Sequence, residues 1–255
     1  MKRILWSLVC ILGMSVFCSA QTLFYLPQIA DGFQASGTAW ITGIAITNPA
    51  ATGTPVASGT ITFRQDNGSL WNISFVDEQQ RPVASGSSIP FQVAGGQTRF
   101  FISTGGPAAL NTGYATVSSN LSVSGGAVFI EFGNLGAFRI GEAGVPSSSA
   151  LTRQSVIAIK TNNENTGVAV ASPGGSAATV TFQLLDTNGT PVVSAVNRAI
   201  AANGHTAFFV SELFPTLPSP FYGTMQITSS TPVAVLSLLF EEGGVFATLP
   251  VFPLQ

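Results

Sequence analysis

Cysteine, histidine and charge are what this chain of 255 residues has least of. Both of its cysteines, Cys10 and Cys18, lie near the N-terminus, its one histidine is His205, and charged residues make up 8% of it. An ordinary soluble domain carries about 25% charge, so the surface here must be built from Ser, Thr, Asn, Gln and Gly. One histidine cannot supply the three or four nitrogen and sulfur ligands of a transition-metal site. Basic residues are also few, which argues against nucleic acid and anionic membranes, whose phosphates call for a basic patch. Long apolar runs are missing beyond the first segment, because Gly, Pro, Ser or Thr breaks each later one within about ten residues.

That first segment has the three-part layout of a secretory signal: Lys2-Arg3, an apolar stretch from Ile4 to Phe17, then Ser19-Ala20. At about 14 residues the stretch is short of the roughly 20 a membrane-crossing helix needs. Cleavage is expected after Ala20, leaving Gln21 first in a secreted protein found in the periplasm, at the cell surface or outside the cell, with no membrane insertion afterwards. The leader would take both cysteines with it, so no disulfide or thiolate chemistry is expected. Lipid attachment at Cys18 is disfavoured, since Phe17 and Ser15 stand where such sites want a small residue and a Leu-like one. Losing Lys2 and Arg3 leaves seven basic residues against 11 acidic ones, a net charge near −4. Order is nevertheless expected, because 45% apolar residues can bury enough surface to offset chain entropy.

Four blocks of the first half resemble four of the second in the same order, the mark of modular construction. Thr42-Gly43-Ile44-Ala45-Ile46-Thr47-Asn48-Pro49 matches Thr166-Gly167-Val168-Ala169-Val170-Ala171-Ser172-Pro173. Thr60-Ile61-Thr62-Phe63 with Asp66-Asn67-Gly68 matches Thr179-Val180-Thr181-Phe182 with Asp186-Thr187-Asn188-Gly189. Gly96 to Ile102 matches Gly204 to Val210, and Val117-Ser118-Ser119 matches Ile227-Thr228-Ser229. The order is the same in both halves, which reads as a duplication. The offset falls from 124 to about 108, so the first copy holds roughly 16 extra residues, mostly between Trp71 and Pro90. This stretch carries Asp77-Glu78-Gln79-Gln80-Arg81 and is expected to form an extended hairpin or loop of the first module alone.

Apolar residues alternate with small or polar ones around Ile44, Ile46, Ile61 and Phe63, the period of a half-buried strand. Ala127 to Ile130 and Val233 to Phe240 are near-continuous apolar runs expected as central strands. Asp66-Asn67-Gly68 and Thr187-Asn188-Gly189 supply hairpin turns, and Asn48-Pro49 and Ser172-Pro173 end strands. A helical turn is expected only around Ser211 to Phe214. About seven short strands per copy predict an all-β protein of two tandem antiparallel β-sandwich (immunoglobulin-like) domains, with a barrel as the alternative. The first module is assigned to 21–148, after the 1–20 signal, and the second to 149–255. Gly144-Val145-Pro146-Ser147-Ser148-Ser149 reads as a short linker between them.

The blocks Trp-x-Thr-Gly-Ile-Ala-Ile-Thr-Asn-Pro from Trp40, Gly-x-Thr-x-Phe-Phe from Gly96 and Val-Ser-Ser-x-x-x-Val from Val117 resemble a known type of module. They are similar to the uncharacterised immunoglobulin-like repeat modules of secreted and surface proteins of environmental bacteria. The resemblance implies an extracellular, non-catalytic module and carries over no functional residue.

The search for chemistry gives no catalytic, cofactor-binding or metal residue, and no cofactor. His205 matches Gln97 of the first copy, so it reads as a polar turn residue, and no Gly-x-Ser-x-Gly elbow accompanies it for Ser-His-acid catalysis. Asp66 and Asp186 offer oxygens on turns but lack the acidic spacing of a calcium loop. Glu131, Glu142, Glu241 and Glu242 are the candidates for a glycosidase pair; Glu131 matches Glu241, and both read as strand ends. No phosphate-binding Gly-Lys or dinucleotide fingerprint occurs. Lys160, the lysine left after the leader, is a remote candidate for an amide cross-link to an Asn. Trp40, Trp71, Tyr25, Tyr114 and Tyr222 are available to stack on sugars, although each Trp reads better as closing the end of a core. The expected function is therefore a non-catalytic structural, adhesion or binding protein, not an enzyme. The alternatives are a carbohydrate-binding accessory protein and a subunit that self-assembles through sparsely charged strand edges. The corresponding partners are an extracellular glycan, a protein or the chain itself.

Overall fold

The computed structural model describes residues 22–35, 37–106, 109–133 and 138–255, and in it the chain is almost wholly β. The expected leader and its two cysteines lie outside the described residues. The first half holds β1 (Thr22–Phe33), β2 (Ala39–Thr47), β3 (Ala57–Gln65), β4 (Ile73–Val76), β5 (Pro82–Gly86), β6 (Ser88–Val93), β7 (Thr98–Ser103), β8 (Asn111–Ser119), β9 (Ser124–Gly133) and β10 (Phe138–Pro146). The second holds β11 (Leu151–Lys160), β12 (Glu164–Ala171), β13 (Ala178–Leu185), β14 (Val196–Ile200), β15 (His205–Phe209), the helical turn α1 (Val210–Leu213), β16 (Phe221–Glu241), β17 (Phe246–Leu249) and β18 (Val251–Pro253).

Each half forms an antiparallel, sandwich-like domain. In the first, one layer runs β6-β3-β8-β1 and the other β5-β4-β7-β2-β9-β10. Strand β1 ties the layers together, pairing with β8 as far as Asp31 and with β2 at Gly32 and Phe33. In the second half one layer runs β14-β13-β16-β11-β18 and the other β15-β12-β16-β17, with β16 bending through both. Every first-half pairing outside the β4–β5 hairpin has a second-half counterpart: β1–β8 and β11–β16, β3–β6 and β13–β14, β2–β7 and β12–β15, β9–β10 and β16–β17.

The shared motifs have physical duties. Thr42 and Thr166 are fully buried, and each hydroxyl bonds the backbone of the preceding strand, Thr42 to Ala30 and Thr166 accepting from the Ile159 N–H at 2.9 Å. Gly68 and Gly189 sit at positive φ and close the two matching turns. Those turns also correct one matched block. Trp71 N–H donates to Phe63 O and Val192 N–H to Leu184 O, while Phe63 pairs with Ala115 and Leu184 with Met225. Phe63 thus occupies the place of Leu184 and not of Phe182. The slip is two residues, which keeps every side chain on its own face.

Two further expectations change. Gly144 to Pro146 is not linker but the end of β10, with Val145 buried, and Ser148 forms a bridge to Tyr25. Only residues 147–150 join β10 to β11. The extra stretch between Trp71 and Pro90 does form a hairpin, β4–β5, yet it is not merely polar: Ile73 and Phe75 are buried, and Phe75 stacks on Phe63 at 5.2 Å. The second half has no such hairpin and closes its core with Val210, Leu213, Phe214 and Leu217, in and after α1.

Candidate functional site

The titratable candidates are dispersed. His205 opens β15 and is buried, but it does not stay within its own half: its Nδ1 lies 2.8 Å from Asp66 Oδ1 and its N–H donates to Asp66 O. The Asp66 carboxylate also accepts the Thr112 hydroxyl. The expected turn residue is therefore a docking residue between the halves. Gly68 makes the approach possible, since a Cβ there would stand 2.4 Å from Ala202 O. Asp186 Oδ1 is occupied by the N–H groups of Asn188 and Thr190.

Glu131 faces Gly141 across the β9–β10 ladder, so Glu142, the next residue, leaves by the opposite face and pairs with Arg139 at 2.7 Å. The two carboxylates do not converge. Partial burial pushes the Glu131 carboxyl above its ordinary range. Glu131 stands opposite Trp40, and Glu241 opposite Glu164, so these matched positions keep their pairing in both halves. Lys160 donates to the Leu217 carbonyl, and Asn165, its neighbour across the ladder, bonds Ser211. Among the described residues no group of three or more His, Cys, Asp and Glu is placed to hold a metal ion.

Among the aromatics, Trp71 is 5% exposed and belongs to the first core, so it is no sugar platform. Tyr114 is buried against Ala171 and Ala234 of the second half, with Tyr25 packed beside them. Burial raises the hydroxyls of both tyrosines, that of Tyr114 to about 12. Tyr222 is exposed. It borders an open depression of about 860 Å³ with Thr161 to Glu164, Pro220, Glu241 and Glu242. Trp40 joins a cluster that crosses the halves: its ring lies 5.6 Å from Phe129 and 5.8 Å from Phe246, and Phe246 is 5.2 Å from Phe240.

Beside this cluster is a crevice of about 360 Å³, walled by β1, β2 and β9 on one side and β12, β15 and β16 on the other. Its lining is mainly apolar, with Phe129, Phe208, Phe240, Leu236 and Leu238 prominent. Gly167 lets Phe240 lie flat on β12, since a Cβ there would meet the ring at 2.9 Å. The register of β1 breaks between Leu26 and Ile29, where Pro27 has no N–H to give the ladder. That bulge carries Gln28, 9% exposed, into the crevice wall. Gln28 Oε1 and Trp40 Nε1 are both buried without a hydrogen-bond partner among the described residues. Sequence reading had singled out Trp40 but not Gln28; a proline inside a strand was the one available signal.

No family profile matches the chain, and no curated protein does. Among solved structures it has a slight likeness to a calcium binding mutant of Bacteroides uniformis β-glucuronidase 2, at 10% identity and a TM-score of 0.17. The likeness covers 88% of this chain and 26% of that one, so the chain spans about a quarter of that protein's length.

Proposed function

We propose that the chain is an exported, non-catalytic structural or binding protein made of two diverged tandem copies of one sandwich module, docked as a single body. The carrying observation is the recurrence of the first half's pairings in the second, with the matched residues spent on cores, turns and docking. The motif resemblance to extracellular repeat modules and the signal-like segment 1–20 support the same reading. Two measurements test it. Export should yield a protein beginning at Gln21 in the periplasmic, surface or medium fraction, and the purified protein should leave chromogenic esters and glycosides intact. Retention of the full chain in the cytoplasm, or turnover lost on His205→Gln or Glu131→Gln, would overturn it.

Carbohydrate binding has one observation in its favour: the exposed Tyr222 ring beside the polar depression, where stacking and hydrogen bonding to a sugar could combine. Glycan-array binding abolished by Tyr222→Ala would establish that reading. Edge-to-edge assembly has less support, because Pro82 on β5, Pro90 on β6 and Arg198 on β14 blunt the outer strands.

A further inference from the structure

The β2–β9 ladder and its counterpart β12–β16 differ in what lies on their outward sides. Gly167 and Ala169 stand opposite Leu238 and Leu236 on the second half, as Gly43 and Ala45 stand opposite Val128 and Gly126 on the first. The second-half face is packed: Leu238 is 6% exposed, and it shares a cluster with Ala169, Leu236 and the first half's Phe129, Ala143 and Val145. On the first half Val128 is 39% exposed, and Phe100, opposite Ala45, is 42% exposed. Ile41, Ile102 and Ile130 lie half-buried on the same face. The two charged residues of these strands, Arg99 and Glu131, stand opposite Ile46 and Trp40 and so point to the other side. A solvated antiparallel face ordinarily turns polar residues to water, and a contiguous apolar one marks a surface for association.

What covers this face on the second half says what fits it on the first. The cover there is the β9–β10 wing, where Ala143 opposite Phe129 and Val145 opposite Ala127 are buried, with Phe129 stacked on Phe246 at 5.5 Å. The second half has the same wing in β16–β17, with Ala247 opposite Leu239 and Leu249 opposite Ser237. Ala247 is exposed there, and Leu239 and Leu249 are only half-buried. Each molecule thus presents one uncovered face and one uncovered wing, which do not meet within the chain.

We infer that the first-half face of one molecule receives the β16–β17 wing of a second copy, repeating between chains the docking that joins the halves within one. Face and wing are different surfaces, so the contact is heterologous, and each added copy brings a fresh face and a fresh wing. Growth is head to tail through sheet faces and does not need the strand edges. The inference rests on the structural, non-catalytic reading and names its partner as the chain itself.

The test is sedimentation velocity of the purified exported protein from micromolar to millimolar concentration, where the mass is expected to climb past that of a dimer. Val128→Glu, which charges the face, should leave a monomer, and so should Ala247→Glu, which charges the wing. Both positions are exposed, so the unfolding midpoint should hold; Phe100→Glu repeats the first arm if Val128→Glu fails to fold. Mixing the two variants restores one face and one wing, and should give dimers and nothing larger. A wild-type monomer throughout the range would overturn the inference. So would assembly that ignores Ala247→Glu, as in a symmetric pairing of two faces, or a mixture of folded variants that stays monomeric. An exported, inert monomer would leave the non-catalytic reading standing, whereas polymers that hydrolyse a chromogenic substrate would sink that reading and keep the contact.

Discussion

The two halves solve one packing problem in different ways. In the first, the outer side of β7 is taken by the β4–β5 hairpin, which brings Ile73 and Phe75 into the core. In the second, β15 has no strand beyond it; the chain turns through α1 and plugs the core with Leu213, Phe214 and Leu217. The strands that follow differ as well. The first half breaks between β8 and β9, whereas β16 runs unbroken from Phe221 to Glu241. A shared set of strand pairings thus tolerates different closures, because each needs only to cover the same apolar face. The uncovered β15 is also what lets the second half wall the crevice and reach Asp66.

The largest expected effect asks whether the halves stand or fall together. Phe182 is fully buried in the second core, and Phe182→Ala should cost about 3–5 kcal/mol. Trp71 lies in the first core, whereas Trp40 packs on Phe246 of the second half, so in a Trp40→Phe background the fluorescence reports the first half. In urea the fluorescence and circular dichroism midpoints should fall together; a fluorescence midpoint that stays put would show independent halves. Next, Gly68→Val puts a branched side chain at φ +86° against Ala202 O. Strain at such a position costs about 1–3 kcal/mol, and the two probes should then separate as docking fails.

Alkaline titration sharpens the comparison from the same interface. Desolvation raises the Tyr114 hydroxyl to about 12, while in the unfolded chain it ionises near 10. A raised folded value means that the contribution is complete below pH 10 and is lost as pH climbs through 12. Stability should drop by about 1–2 kcal/mol across that window, and Tyr114→Phe should remove most of the step, the remainder belonging to Tyr25. His205→Gln, which installs the residue found at the matching first-half position, gives up the bond to Asp66. With that carboxylate more than half exposed, a loss of about 1 kcal/mol is expected in the urea midpoint. Arg81→Ala, which removes the ion pair of the exposed Arg81 with Asp77 at the tip of the first half's own hairpin, should move the midpoint least of all.

Much of the architecture was legible before any coordinates. Alternation at Ile44, Ile46, Ile61 and Phe63 placed β2 and β3, glycine turns placed Gly68 and Gly189, and the uneven spacing of the blocks located the β4–β5 hairpin. The match of Phe63 to Phe182 failed by two residues, because a period of two assigns faces but is silent to a slip of two. Reading Gly144 to Ser149 as a linker failed because small residues and Pro146 mark a turn only where no neighbour offers a ladder, and β9 offers one. The candidate site was mostly hidden. Trp40 drew notice, but its facing Phe246 lies some 200 residues away along the chain, and no local pattern announces such a meeting.

What the residues determined by themselves is local: which segments extend, which face of each is apolar, and where the backbone must turn. These follow from torsional preference and alternation, which act over a few neighbours. Tertiary structure alone decided that the halves share a packed face, that the lone histidine reaches Asp66, and that a crevice lined by Gln28 and Trp40 is left between them. Those facts depend on how two finished surfaces fit, and a surface exists only after distant strands have been brought together.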